Sequence, residues 1–237
     1  MSENKAIQLG LCCLNIELRE CCPTVFSSRS VILRTLNEKG VENLKNKIIE
    51  NLQDALIMMD WNEDNGIKVF RLSSEMFPHI SNPRAPTYNL DFAKDLLAKI
   101  GKKSKEYNQR LTFHPGHFNC LGSPKTEVIV QTIRDLDYHA RVLDLMDLDN
   151  NSVMVIHGGG IYGNKDKTIE RWCENYLKLP ENIRKRLVLE NCERNFSVED
   201  CLKVSEKVNI PIVFDTHHYD CYNIMHPTEL LDVPENY

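Results

Sequence analysis

The chain of 237 residues has no apolar run approaching the roughly 18 residues that a membrane-spanning helix needs. Residues 1–5 are polar and lack the apolar stretch of a secretory signal. No membrane association is therefore expected, and an intracellular, soluble protein of cytoplasm or nucleus is. Glycine and proline, ten of each, are too sparse for a collagen-like or stalk sequence, and no segment is of low complexity. The nine cysteines are odd in number and never spaced C-x-x-C, which excludes a zinc knuckle or a dithiol redox motif and points to reduced thiols. No G-x-G-x-x-G follows the first apolar run, so no nucleotide cofactor is expected. Basic residues are not in excess: 29 Lys and Arg stand against 34 Asp and Glu. The resulting net charge of −5 argues against indiscriminate nucleic-acid binding while leaving room for a local basic patch.

What the sequence does contain is a short apolar, β-rich run followed by a helical stretch, repeated along the chain. The runs are residues 7–12, 67–72, 111–113, 153–156, 187–189 and 212–214, and they read as strands buried on both faces. Between them, residues 41–59 place Leu44, Ile48, Leu52, Leu56 and Met59 on one side of a helix. Residues 90–105, 126–145, 167–177 and 198–207 read the same way, with Ser123-Pro124 as cap and first turn of the segment at 126. Alternating β and α over one stretch without a linker predicts a single domain over residues 1–237. Its sheet is parallel, in a doubly wound layout or a (β/α)8 TIM barrel.

The ends of the strands carry the chemistry. RLTFH, VMVIH, RLVLE and PIVFD finish on His114, His157, Glu190 and Asp215, and His217 and His218 follow the last of these. A lone histidine after a strand is ordinarily a hydrogen-bonded loop residue. Four metal-ligating side chains at the same level of successive parallel strands instead converge on one face. Mixed imidazole and carboxylate donors suit manganese, zinc or iron. A carboxylate on each of two neighbouring strands allows a multinuclear site, whose natural substrates are phosphate esters, with sugar isomerisation as the rival use.

Two loops add to this. His114-Pro115-Gly116-His117-Phe118-Asn119 presents an imidazole and an aromatic ring at its tip; the ring is either core or, if exposed, a wedge for a base stack. His157-Gly158-Gly159-Gly160 either lets backbone approach an anion or is only a tight exit from the strand.

These residues resemble the ultraviolet-damage endonucleases, barrel metalloenzymes related to endonuclease IV that nick DNA on the 5′ side of photoproducts. The matching stretches are Leu9-Gly10 with Asn15, Phe70-Arg71-Leu72-Ser73-Ser74-Glu75-Met76-Phe77-Pro78-His79, His114-Pro115-Gly116, the His157 glycine loop, Leu189-Glu190-Asn191 and Asp215-Thr216-His217-His218. The resemblance implies a metal-dependent endodeoxyribonuclease of damaged double-stranded DNA, acting as a monomer with two or three divalent ions, manganese foremost and zinc or iron as alternatives. It implies that His114, His157 and Glu190 hold one ion, that Glu190 and Asp215 share a second, and that His218 serves a third, with Glu190, Asp215 and His157 at the chemistry. His217 is then a neighbour. The family's lesion-probing pair falls on His117 and Phe118, where His117 replaces the usual Gln. Its further lesion-side positions fall on Leu11, where an aromatic is lost, and Asn15, which is kept.

Only 22 residues follow Asp215, counting 237 − 215, room for one helix but not for two further βα units. The expectation is a barrel lacking its last two βα units, incomplete at the C-terminus, without the ligands those units carry in the family. An abasic-site endonuclease, a sugar isomerase of the same barrel type and an inactive remnant are the alternatives. Among the basic residues, Lys102, Lys103, Lys105 and Arg110, and then Arg184, Lys185 and Arg186, read as solvated surface, and Arg71 as a carboxylate partner or phosphate contact. Lys165 and Lys167 are placed to meet a DNA backbone.

Overall fold

The structure, a computed structural model, describes residues 7–227. The polar residues 1–5 that argue against a secretory signal lie outside them. Six strands are found where six apolar runs predict them: β1 (Gly10–Cys12), β2 (Val69–Leu72), β3 (Arg110–Phe113), β4 (Met154–His157), β5 (Leu187–Glu190) and β6 (Ile212–Val213). They neighbour one another in chain order. The pairings β1–β2, β2–β3, β3–β4 and β5–β6 are parallel, with Gly10 opposite Val69, Phe70 opposite Leu111, Phe113 opposite Met154 and Leu189 opposite Ile212. Parallel neighbours need a crossover, and helices supply it.

The helices are α1 (Ile16–Glu20), α2 (Leu33–Asp64), α3 (Lys94–Glu106), α4 (Thr126–Leu145), α5 (Lys165–Leu177), α6 (Glu181–Arg184), α7 (Val198–Val208) and α8 (Thr216–Met225). Within α2 the backbone breaks at Gly40 (φ 77°), so the regular part begins where the periodicity predicts it, at residue 41. Gly40 meets nothing within 4 Å, and its positive φ is what only glycine adopts without strain. The Ser123-Pro124 pair precedes α4 rather than opening it: Ser123 Oγ accepts from the Lys125 N–H at 3.2 Å, and the first helical residue is Thr126. A turn closed by the serine competes successfully with helix here. No helix among the described residues is long and apolar enough to cross a membrane, and the nine cysteines are free thiols.

The chain separates into two compact units. One holds the described residues up to His114 together with Asp137–Met154. Its core is Leu44, Ile48, Leu52 and Met59 of α2 against Phe70, Leu72, Leu111 and Phe113 of β2 and β3 and Leu97 and Ile100 of α3, all fully buried. The other holds Pro115–Leu136 and the described residues from Val155. Its core gathers Ile156, Leu187 and Leu189 of the strands, Phe196, Val204 and Ile210, and the stacked pair Trp172–Tyr176 of α5, 5.5 Å between ring centroids.

Burial on both faces holds for β4, β5 and most of β3, whereas β2 buries only Phe70 and Leu72, and the end strands β1 and β6 are exposed to half-buried. Each stands at an end of the strand order with one neighbour, so half of its flanking cover is missing among the described residues.

In the basic runs Lys102, Lys105, Arg110 and Lys185 are exposed as expected, whereas Lys103 is half-buried and several of these residues have partners. Lys103 Nζ reaches Asp60 Oδ1 at 2.5 Å, Lys105 pairs with Asp147, and Arg110 Nε donates to Asn151 O at 2.6 Å. Arg186 is fully buried, which a count of charges along the chain does not reveal. Burial opposes ionisation of Asp60, but the hydrogen bonds from Lys103 and from Tyr107 Oη, the latter at 2.7 Å, outweigh it and hold the carboxyl below its ordinary range. A carboxyl depressed in the folded state stabilises above its unfolded pKa and loses that contribution as pH falls through the lower folded value. Asp60→Asn is therefore expected to flatten the acid limb of stability: denaturant midpoints of the two proteins should differ at pH 7 and converge below about pH 3. An unchanged difference at acid pH would contradict this.

Candidate metal centre

β4 and β5 end on His157 and Glu190 themselves, and β6 stops two residues before Asp215. The last strand residue of a parallel sheet sits at its carboxyl edge, where side chains face away from the packed layers beneath. Glu190 is nevertheless only 5% exposed, and a carboxylate that buried requires partners. It has imidazoles on two sides. His157 Nε2 is 2.8 Å from Glu190 Oε2, and His218 Nδ1 is 3.9 Å from the same oxygen. The two rings stand edge to face, 5.1 Å between centroids. Glu190, Asp215 and His218 each offer one ligand atom, all within 4.8 Å of one another.

Asp215 and His218 are placed by local helix chemistry. Asp215 is the N-cap of α8: its Oδ1 accepts the His218 N–H at 2.8 Å, and Oδ2 lies 3.6 Å from His218 Nδ1. The spacing of three residues that caps a helix also brings a carboxylate and an imidazole to one spot. His217 points elsewhere, as the next residue round a helix must. It is exposed, with its ring 6.4 Å from that of His218 and its Nε2 3.8 Å from Cys221 Sγ.

Asn191, which patterning alone did not single out, fixes the cluster. Its Nδ2 donates to Asp215 O at 2.9 Å, its Oδ1 accepts from Asp215 N at 2.8 Å, and its own carbonyl lies 3.0 Å from His218 Nδ1. A carbonyl can only accept, so His218 carries its proton on Nδ1 and leaves Nε2 with a lone pair. One buried amide thus clamps the end of β5 to the start of α8 and sets a tautomer. The only hint in the sequence was its place next to Glu190. Asn191→Ala is expected to weaken divalent-ion affinity about 10- to 100-fold, as loss of an outer partner of a metal site typically does. Equilibrium titration against a competing chelator reads this out, and unchanged affinity would count against the clamp.

The remaining candidate residues fall as follows. His114 follows β3 directly and is half-buried. His117 and Phe118 are exposed, Phe118 at 54%, and the His117 ring packs edge-on to His157 with 4.7 Å between centroids. Asn15 is buried as the N-cap of α1, where its Oδ1 accepts from Leu18 N at 3.0 Å. Leu11 is half-buried in β1.

For the glycine loop the tight exit is what the structure shows. A Cβ on Gly158 would stand 2.2 Å from the buried Phe196 ring, and Gly159 has φ +88°. Lys165 is not at the service of a phosphate. Its ammonium meets Asp200 Oδ2 at 2.8 Å and Tyr222 Oη at 3.1 Å. Burial acts to lower its pKa, yet those two partners push it up. Asp200 closes the capping box of α7 with Ser197, so Lys165 ties α7 to α8. Lys167 is exposed. Arg71 is half-buried, and its guanidinium donates to Cys12 Sγ rather than to a carboxylate.

Comparison with known proteins identifies the family. Residues 7–233 match the UV-endonuclease UvdE family. A protein of Acanthamoeba polyphaga mimivirus that carries the UV-damage endonuclease name is 42% identical over 92% of this chain and 66% of its own length. The crystal structure of SacUVDE superposes with a TM-score of 0.82 at 32% identity, covering 94% of this chain and 77% of that one. Endonuclease IV from Thermus thermophilus shares the fold at a TM-score of 0.51 and 17% identity, over 75% of this chain and 65% of the other. The chain spans less than two thirds of the mimivirus relative, and 36% and 40% of two fungal relatives of the same name. With the match running through all six strands, the chain belongs to the UV-endonuclease UvdE family.

Proposed function

We propose that the chain is a metal-dependent DNA repair endonuclease that nicks damaged duplex DNA on the 5′ side of ultraviolet photoproducts. The observation that carries this reading is the buried Glu190 between two imidazoles and beside Asp215, in a chain whose relatives carry the UV-damage endonuclease name. Two carboxylates and an imidazole within reach of one another are a donor set for manganese, zinc or iron, and manganese is the ion we assign. Glu190, Asp215 and His218 hold one divalent ion. His157 would share Glu190 in holding a second. Such ions offset the charge on the phosphate oxygens and acidify a water.

The protein's own groups do the rest. Glu190 Oε2 and His157 Nε2 face each other at 2.8 Å from adjacent strands, so the two donors start close together. Asn191 holds Asp215 and the His218 tautomer, so the donor atoms need little reorganisation. The exposed Phe118 enters the distorted stack of a lesion, and His117, packed edge-on to His157, ties that probe to the site. Asn15 spends its Oδ1 on α1, but its buried Nδ2 has no partner among the described residues, and we assign this donor to the lesion. The frame for this arrangement is of the (β/α)8 type, and the substrate is double-stranded DNA inside the cell.

The test is incision of a duplex carrying one cyclobutane dimer. Manganese-dependent nicking on the 5′ side is expected, abolished by chelator and absent on undamaged duplex. Phe118→Ala is expected to reduce nicking about tenfold or more by removing a stacking contact of roughly 1–3 kcal/mol, without altering the melting temperature of so exposed a position. Equal nicking of damaged and undamaged duplex by both proteins would overturn the reading.

A further inference from the structure

At the carboxyl end of β1 two adjacent thiols come together by a specific backbone device. Cys12 is the last residue of β1 and is exposed. In a continuing strand the next side chain would point to the opposite face. Instead Cys13 adopts φ +50°, in the left-handed region that side chains other than glycine, asparagine and aspartate rarely enter. The turn is closed by Leu14 N donating to Cys12 O at 2.7 Å, and Cys13 N donates to Arg71 O at 2.9 Å. The Cys13 side chain is thereby swung back to the side of Cys12. Its thiol is pushed up in pKa first by burial and then by the facing Cys12 thiol, to which it is hydrogen-bonded. Arg71 holds both residues, its carbonyl accepting from Cys13 and its guanidinium donating to Cys12 Sγ.

The chain contains an internal comparison. Cys21 and Cys22 are also adjacent and exposed, but Cys21 has extended backbone (φ −66°, ψ 160°), and its thiol donates back to Glu17 O at 3.4 Å. The second pair therefore lacks both the left-handed turn and the guanidinium of the first.

Two thiols so placed have two chemical uses, and geometry chooses between them. An unstrained disulfide spans about 4.4–6.8 Å between α-carbons, whereas adjacent α-carbons stand about 3.8 Å apart, so direct S–S closure is strained. A larger atom inserted between the sulfurs removes that strain. We propose that Cys12 and Cys13 form a chelating dithiol site for trivalent arsenic, distinct from the oxygen- and nitrogen-lined centre at Glu190. With phenylarsonous acid, the hydrated form of phenylarsine oxide, two As–S bonds form and two As–O bonds break. The two thiol protons leave with the two hydroxyls as water, and arsenic stays trivalent, so no oxidant is needed. Soft sulfur ligands select such a centre over the hard cations suited to carboxylates.

The experiment exposes the full chain to one equivalent of phenylarsine oxide in excess glutathione, followed by intact-mass analysis and alkylation mapping. The second thiol acts at high effective concentration, so capture is expected to be about a hundredfold tighter than by a single thiol, and to be reversed by a competing small dithiol. In the loaded protein Cys12 and Cys13 should resist alkylation while Cys21 and Cys22 react, a readout that needs no variant. Cys12→Ser and Cys13→Ser should each abolish capture, and the Cys21→Ser, Cys22→Ser double variant should retain it. Absence of capture, protection of Cys21 and Cys22 instead, or retention in Cys12→Ser would each overturn the proposal.

Discussion

Replacing Glu190 by Gln is expected to reduce lesion-dependent nicking by roughly a thousandfold or more while the protein stays folded. Glutamine matches glutamate in shape and keeps an oxygen that accepts from His157 Nε2, so the packing around this 5%-exposed side chain survives. What is lost is the charge common to both ligand groups, the one with His157 and the one with Asp215 and His218. A cation's contribution to a phosphoryl-transfer transition state is several kcal/mol, and each 1.36 kcal/mol is a factor of about ten. Loss of ion affinity acts in the same direction. The comparison requires saturating damaged duplex and matched melting temperatures. Nicking within tenfold of the unaltered protein would remove Glu190 from the ligand set.

The largest expected effect on stability lies in the other unit. Gly101, buried in α3, faces the carbonyl of Met146 so closely that a Cβ would stand 1.7 Å from that oxygen and 2.6 Å from its carbon. Neither atom belongs to a flexible side chain, so α3 and the segment after α4 must move apart. Alanine gains about 1 kcal/mol in helix propensity over glycine, but overpacking a rigid contact costs about 3 kcal/mol or more, and backbone makes this the upper end. Gly101→Ala is expected to destabilise by about 2 kcal/mol or more net, a fall of at least roughly 4–8 °C in melting temperature for a chain of this size. A change under about 2 °C in a thermal melt would mean that the contact relaxes freely.

The strands were legible because each is a short run of β-branched and aliphatic residues, and the candidate site was legible because β4 and β5 end on an imidazole or a carboxylate and β3 and β6 stop just short of one. The long helices followed from periodicity, whereas α1 and α6, of five and four residues, are too short to show one. Burial of β1 and β6 was overestimated because hydrophobicity reports what a strand tolerates, not which neighbours it has. The separation of His218 from His217 came only from the family resemblance, and the N-cap at Asp215 supplies its physical cause. Asn191 was named only within the matching stretch after Glu190, and its role was not legible because it depends on the backbone of Asp215, 24 residues away. Arg186, Lys165 and Arg71 were misplaced for a related reason. A charge in sequence does not announce whether Asp200, a thiol or solvent will meet it.

Affinity for metal is the most direct test of the account. Free manganese, followed by its paramagnetic resonance while the ion is titrated into the full chain and into Glu190→Gln, distinguishes the possibilities without relying on DNA. Two or three ions are expected to bind the unaltered chain, and at least one of them should be lost in the variant. Equal binding by the two proteins, or none by either up to about 1 mM ion where even weak sites of about −4 kcal/mol fill, would contradict a metal centre built on Glu190.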